Sequence, residues 1–263
     1  MPTFVHPLWG YALEYPEGWV WQEDGEVTAF APHKAALSLQ YEGKRMGHLA
    51  IRPELNPYLR PIEPLWTQYI TRISVMRGAK KLGASALKIG NLKGYEAELL
   101  LPAKQNRRLW IGLLAAGGMV LHLAVTHRKD EKSYFQPLVS NMVQSLRFVE
   151  HTDEYQMTAM DLPIPPAYTP AAPEDIIEAI SPHKIWDAYR GEATISALQV
   201  FYLRELPHAG WQVDTYYPYP NRNPEIHFAS FLVHKAERTV VIALIPRGSK
   251  PTLADIVMME HEG

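Results

Sequence analysis

The chain of 263 residues contains no cysteine. This absence excludes disulfides, thiolate nucleophiles, cysteine-ligated zinc and iron–sulfur clusters. The phosphate-binding patterns Gly-x-x-x-x-Gly-Lys and Gly-x-Gly-x-x-Gly are also missing, so the sequence predicts no nucleotide loop of a known type. The 11 histidines include no His-x-x-x-His pair of the kind that binds zinc from a helix. We therefore expect no metal, no cofactor and no catalytic residue.

Long apolar runs are also scarce. The longest run, Leu109–Val125, is interrupted by three glycines and a histidine, which is too often for a membrane helix. It predicts two buried strands around a Gly-Gly turn. The first ten residues have neither the basic region nor the apolar core of a signal peptide. We expect a cytoplasmic protein without a membrane span.

Charge is balanced over the chain but unevenly distributed. The net charge is −2, which gives no reason to expect a nucleic acid as partner. Residues 60–110 carry a net charge of +7, and residues 150–178 carry −7. Such segments are usually solvated surface. The alternative is that residues 150–173 lie ordered on the basic face of the first half, or on that of a second copy.

The apolar pattern predicts two helices in the first half. A stripe with i, i+3, i+4 spacing runs from Ile62 to Met76 within Arg60–Arg77, and Gly78 suits the end of that helix. A second helix carries Phe135 to Leu146. The predicted strands are Tyr11–Tyr15, Val27–Ala31, Ala36–Tyr41, His48–Arg52, Ala84–Ile89, Tyr95–Leu101, Arg108–Ala116 and Met119–Thr126.

Two short segments resemble the first and last segments of the domains of a known family. Leu13–Trp19 (LEYPEGW) and Asn141–Phe148 (NMVQSLRF) resemble the two ends of PsbP/Mog-like domains, as does the order of elements between them. The resemblance covers residues 1–149 and implies an antiparallel sheet with helices on its faces. The family includes a photosystem II extrinsic subunit, a Ran-binding nuclear import factor and uncharacterised bacterial proteins, most of them binding proteins.

The second half begins with a different composition. Residues 150–173 are acidic and rich in proline, which predicts an extended linker. Residues 174–263 predict a small α+β domain that resembles uncharacterised bacterial modules. It has a possible short helix over Glu174–Ile180 and a longer helix capped by Thr194. The predicted strands are Trp211–Tyr216, Ile226–Val233, Thr239–Ile245 and Leu253–Met259, of which the continuously apolar third is central.

Two groups of residues are candidates for contacting a partner. One is a loop with Tyr216, Tyr217, Tyr219 and Arg222, residue types that are enriched in recognition surfaces. The alternative is a rigid hairpin loop whose rings cover the sheet edge. The other group lies on or just after the first helix and would meet phosphates or an acidic partner; its members are Arg72, Arg77, Lys80 and Lys81.

One pair of carboxylates has the spacing of a reactive dyad. Glu96 and Glu98 alternate along a predicted strand and so share one of its faces. The alternative is a solvated strand face with Lys93 and Lys104 nearby. His122 and His127 lie an odd number of residues apart, so strand alternation places them on opposite faces and argues against a shared metal.

The sequence thus predicts an α+β protein of two domains, each a mainly antiparallel sheet with helices packed on it. The domains span residues 1–149 and 174–263. We interpret the chain as a bacterial, non-catalytic binding or scaffold protein, whose partner is another protein or its own second copy. The alternative is an enzyme or small-ligand carrier with a site in the cleft between the domains.

Overall fold

The fold is described from a computed structural model, which covers residues 1–38, 43–102, 106–152, 154–177, 186–248 and 253–261. The chain divides into two compact units. Unit 1 comprises Met1–Val5 and Tyr11–Phe148, and unit 2 comprises His6–Gly10 and Val149–Gly263. Each unit is built on an antiparallel sheet with helices, so the predicted α+β class is confirmed. No helix among these residues has the length and apolar character needed to cross a membrane.

Unit 1 contains a seven-stranded sheet in the order β3-β4-β5-β9-β8-β7-β6 and a three-stranded sheet in the order β1-β2-β10. Its elements are β1 (Thr3–Val5), β2 (Tyr11–Glu14), β3 (Val20–Asp24), β4 (Val27–Ala31), β5 (His48–Leu55), α1 (Ile62–Arg77), β6 (Lys80–Ile89), β7 (Leu92–Leu100), β8 (Arg107–Ala116), β9 (Met119–Arg128), α2 (Lys132–Gln144) and β10 (Arg147–Phe148).

The two helices of unit 1 pack on opposite faces of the large sheet. Helix α1 lies against β7 and β8, where it buries Trp66 and Ile70. Helix α2 lies against β9 and β2. His122 contacts Tyr69 of α1, whereas His127 stacks on Phe135 of α2. The prediction that these two histidines face opposite sides of β9 is therefore confirmed.

Three local predictions in unit 1 need correction. Helix α1 begins at Ile62 rather than at residue 60, because Pro61 occupies the cap position with an extended ψ of 141°. The stripe does not reach Met76, which is 67% exposed, because the apolar packing of α1 ends at Ile73. The strand expected at Ala36–Tyr41 is replaced at Lys34–Leu37 by a 3₁₀ helix, and residues 39–42 lie outside the described part.

Unit 2 contains a six-stranded sheet in the order β13-β14-β18-β17-β16-β15 and the pair β11-β12. Helix α3 lies against β15 and β17. The elements are β11 (Gln156–Met157), β12 (Pro163–Ile164), β13 (Thr169–Ala171), β14 (Trp186–Arg190), α3 (Ile195–His208), β15 (Gln212–Tyr217), β16 (Ala229–Lys235), β17 (Arg238–Pro246) and β18 (Ala254–His261).

The sequence predicted four of these six sheet strands. The edge strand β13 contains Pro170, and β14 has no clear alternation of buried and exposed residues, so neither shows a strand pattern. The predicted central position of β17 is confirmed. Thr194 caps α3 as expected, because its hydroxyl accepts the Ala197 N–H at 3.2 Å. The expected helix at Glu174–Ile180 is a 3₁₀ turn at Pro173–Asp175, and residues 178–180 are not among those described.

The proline-rich segment contributes to the core of unit 2. Its buried apolar side chains are Met160, Leu162, Ile164 and Tyr168. The Tyr168 hydroxyl donates to the Ala254 carbonyl at 2.7 Å, and the Trp211 indole donates to the Asp161 carbonyl at 2.7 Å. Two of its five prolines, Pro163 and Pro170, lie in short strands. Whether residues 1–149 and 174–263 fold as independent domains stays a prediction.

Candidate functional site

Three of the four predicted basic residues, Arg77, Lys80 and Lys81, lie where α1 ends and β6 begins. The fourth, Arg72, lies earlier on α1 and also lines a cavity with Glu54. Gly78 adopts the left-handed conformation with φ 59°, and this reversal leads from α1 into β6. All four side chains are exposed. Within the described ranges, none of them lies within 4.0 Å of a carboxylate. The four unpaired cations are Arg72, Arg77, Lys80 and Lys81.

Exposed apolar side chains accompany these cations. Val75 is 77% exposed, Met76 67% and Leu82 48%. The first seven residues of β6 are exposed on both faces, and β6 is the edge strand of the sheet. Half of its backbone N–H and C=O groups therefore point away from β7. We call residues 72–82 the α1–β6 surface.

A buried glutamine of α3 holds the loop that contains Tyr216, Tyr217 and Tyr219, which we call the tyrosine loop. Gln199 of α3 is fully buried, and its Oε1 accepts from the Tyr216 hydroxyl at 2.7 Å and from the Tyr219 N–H at 2.8 Å. Its Nε2 donates to the carbonyls of Tyr219 at 2.8 Å and Ile195 at 3.1 Å. The Tyr216 ring stacks on Phe231 with centroids 4.7 Å apart. Tyr216 and Tyr219 thus have structural contacts.

The other two residues of the predicted loop site face solvent. Tyr217 is 54% exposed, and Arg222 is exposed. Partner binding by this loop stays a prediction. Sequence reasoning missed Gln199, whose only signal was a polar residue inside the apolar stripe of α3.

A second cluster on the α1 side of the sheet surrounds one carboxylate. Glu54 pairs with Arg52 at 3.3 Å, Arg60 at 3.5 Å and His122 at 3.0 Å. The hydrogen bond to His122 is the main cause that lowers the pKa of Glu54, and the two arginine charges add to it. Burial raises the pKa of the adjacent Tyr69 hydroxyl to about 12. With two arginines and one carboxylate the cluster carries a net positive charge, and its side chains are paired with one another, which suits a structural role.

The two predicted carboxylates line a cavity on the opposite face of the sheet. The cavity has a volume of about 210 Å³ and lies beside α2. Trp110 donates its indole N–H to Glu96 Oε2 at 2.8 Å, and the Ser85 hydroxyl donates to Oε1 at 3.0 Å. Glu98 instead accepts from Arg108 at 2.8 Å. The shared face of the two glutamates is therefore confirmed.

The cations that compensate Glu98 differ from those expected. Lys132 of α2 lies 3.6 Å from Glu98, in addition to Arg108. Burial alone would raise the pKa of Glu98, but the hydrogen bond from Arg108 and the charge of Lys132 outweigh it and lower that pKa. Lys93 pairs across the strands with Lys88, and Lys104 lies outside the described residues. Glu98 is thus held as an anion by two neighbours that the sequence pattern does not bring together.

Metal ligands are not grouped in the described part of the chain, where no three His, Asp or Glu side chains are placed to hold an ion. Three of the described histidines are buried, namely His6, His48 and His127. Burial, with the nearby Arg107 charge, lowers the pKa of His48 to about 4. Burial, with the Arg204 charge, lowers the pKa of His6 to about 4. Both are therefore neutral over the physiological range.

Comparison with known proteins finds structural similarity at low identity. No protein-family model matches the chain, and no curated protein matches it. Among solved structures, cyanobacterial PsbP (CyanoP) from Synechocystis sp. PCC 6803 is similar, at 14% identity and a TM-score of 0.43, over 56% of this chain and 92% of that one. The Saccharomyces cerevisiae Ran-binding protein Mog1p is similar at 9% identity and a TM-score of 0.40, over 56% and 95%.

A third similar structure spans both units. A protein from Bacteroides thetaiotaomicron VPI-5482 matches at 11% identity and a TM-score of 0.42, over 92% of this chain and 86% of that one. The structural similarity to PsbP/Mog-like proteins predicted from Leu13–Trp19 and Asn141–Phe148 is thus found. At these identities and TM-scores the likeness supports no statement about the role of this chain.

Proposed function

We propose that this chain is a cytoplasmic, non-catalytic binding protein that holds an acidic partner protein on the α1–β6 surface. One observation carries the proposal. Four cations without a carboxylate partner among the described residues stand beside three exposed apolar side chains. Apolar contact supplies affinity, while complementary charge supplies on-rate and selectivity. An acidic segment with apolar residues satisfies both parts of this surface.

The edge strand favours an acidic protein as the partner over an anionic lipid surface or a nucleic acid. Strand β6 offers backbone donors and acceptors along its free side, which an extended peptide can pair with by strand addition. A lipid surface has no such groups. Single-stranded nucleic acids are usually bound by aromatic side chains between the cations, and residues 72–82 contain none. The lysines also protect this edge from uncontrolled pairing, so a partner must compensate their charge.

The partner is identified by site-specific cross-linking. A photoreactive benzoylphenylalanine replaces Leu82, and the purified protein is irradiated in an extract of its native cells. We expect one dominant cross-link, which mass spectrometry maps to an acidic, strand-forming segment of another protein. The double variant K80E/K81E should weaken this complex at least about tenfold, because two attractive charge pairs become repulsive.

A matched control uses the far end of the same hairpin. Lys88 and Lys93 are exposed and lie opposite each other on β6 and β7, so K88E/K93E makes the same change in net charge. We expect this control to retain the complex within about twofold, since distant exposed charges are screened. Equal loss in both double variants would overturn the proposal. So would a cross-link only between two copies, or binding to anionic lipid vesicles without any protein cross-link.

A further inference from the structure

The cavity beside α2 combines an apolar floor with a few polar groups. Its floor is formed by four side chains that are at most 7% exposed: Leu87, Val125, Val139 and Val143. Trp110, Glu96 and Glu98 line it from the sheet, and Lys132 lines it from α2. Concave apolar sites with a small number of convergent polar groups are the usual form of small-ligand sites.

The two carboxylates of the cavity differ in charge compensation. Glu98 is neutralised by Arg108 and Lys132. Glu96 is held only by neutral donors, the Trp110 indole and the Ser85 hydroxyl. Among the described residues no cation lies within ion-pair distance of Glu96. Glu96 therefore has no ion-pair partner among the described residues, and two hydrogen bonds already orient its carboxylate.

The Trp110 ring is held in place beside this carboxylate. Trp110 lies directly opposite Glu98 on β7, and Gly112 lies opposite Glu96. A Cβ added at Gly112 would come within 2.9 Å of the Trp110 ring, so the missing side chain leaves room for the indole. The N–H edge of the indole meets this carboxylate, so an organic cation in the cavity can form a charge-assisted hydrogen bond with Glu96 beside the ring.

We propose that this cavity binds a small primary amine with an apolar body. The ammonium group would pair with Glu96 beside the Trp110 ring, and the apolar body would cover the floor. At about 210 Å³ the cavity is smaller than the roughly 300–1,000 Å³ of sites for drug-sized ligands. The ligand is therefore a monoamine of the size of 2-phenylethylamine. This site is separate from the α1–β6 surface and does not depend on it.

The test is an NMR titration with 2-phenylethylamine. The chain has seven tryptophans, and the Trp110 indole N–H signal is assigned by its absence in W110F. We expect this signal to shift saturably with millimolar amine. The E96Q variant should bind about tenfold more weakly, a loss of about 1.4 kcal/mol, because Gln keeps an acceptor for the indole but lacks the charge.

Two controls make the result decisive. E63Q removes the same charge from exposed Glu63 on α1, across the sheet from the cavity, and should leave the affinity unchanged. The neutral 2-phenylethanol and the anionic 3-phenylpropanoate should bind the unaltered protein at least about tenfold more weakly than the amine. This comparison holds even where E96Q does not fold. Equal binding of the alcohol, equal binding by E96Q, or no saturable shift would overturn the proposal.

Discussion

Replacing Gln199 by alanine should release the tyrosine loop and destabilise unit 2. The side chain makes four hydrogen bonds, three of them to Tyr216 and Tyr219. A net contribution of about 1 kcal/mol for each of these three bonds gives a loss of about 3 kcal/mol. The fourth bond adds little, because the Ile195 carbonyl lies inside a helix and keeps a backbone partner.

A double-mutant cycle isolates the loop contribution. Y216F removes one of the three bonds. It should lower the free energy of unfolding by about 1 kcal/mol in the unaltered chain and by close to zero in the Q199A variant. The free energy of unfolding is measured by urea titration followed by far-ultraviolet circular dichroism. Hydrogen exchange of the Tyr219 amide reports the loop directly, since Gln199 Oε1 accepts that N–H.

The matched control is Q212A, because Gln212 begins β15 and is exposed. It should change the free energy of unfolding by less than about 0.5 kcal/mol. The reasoning is refuted if Q199A lowers the free energy of unfolding no more than Q212A does. It is also refuted if Y216F lowers that free energy equally in the unaltered chain and in Q199A. Either result would mean that the loop keeps its conformation without the glutamine.

Two further predictions concern buried charge. R204M should destabilise unit 2 by about 3–5 kcal/mol in urea titration, because it removes the cation 2.6 Å from the fully buried Glu205 and leaves only the hydrogen bonds from Thr152. The double variant R204M/E205Q should recover part of that loss. If the single variant costs less than about 1 kcal/mol, the pair is not structural. The pKa of His48 is lowered by burial to about 4, so the unfolded chain takes up the proton first as pH falls, and stability is lost below pH 6.5. H48Q should reduce the stability loss between pH 7 and 5 by about 2 kcal/mol; an unchanged pH profile would show that His48 does not titrate in this range.

Elements with a complete local pattern were predictable. Helix α1 was predicted from its apolar stripe and from Gly78, and β17 from its continuous apolar run. The spacing of apolar residues and the glycine that ends a helix can both be read within a short stretch of sequence. Residues 150–173 have the composition of a linker, because proline and acidic residues outnumber the few apolar side chains that become buried, such as Leu162 and Ile164. Their burial depends on α3 and the sheet of unit 2, which lie later in the chain.

The cavity was predictable only in part. Side chains alternate between the two faces of any strand, so Glu96 and Glu98 were predicted to share one face. That Trp110 lies opposite Glu98 depends on the register between β7 and β8, which one strand does not specify. The cations that neutralise Glu98 come from β8 and α2, so the difference between the two glutamates arises only in the assembled unit. The same applies to the exposure of Met76, which fits the stripe of α1 but lies beyond the part of the helix that packs on the sheet.

Both proposed sites follow from the width of the large sheet. Strands lie about 4.8 Å apart and a helix is about 10 Å wide, so one helix covers about two strands. Helix α1 packs on β7 and β8, and α2 packs on β9 and β2. The start of the edge strand β6 is thus left bare on both faces, and the α2 side of β7 and β8 is left open next to α2. The α1–β6 surface occupies the first of these gaps and the cavity of Glu96 and Trp110 the second, because one helix on each face of a seven-stranded sheet leaves strands uncovered.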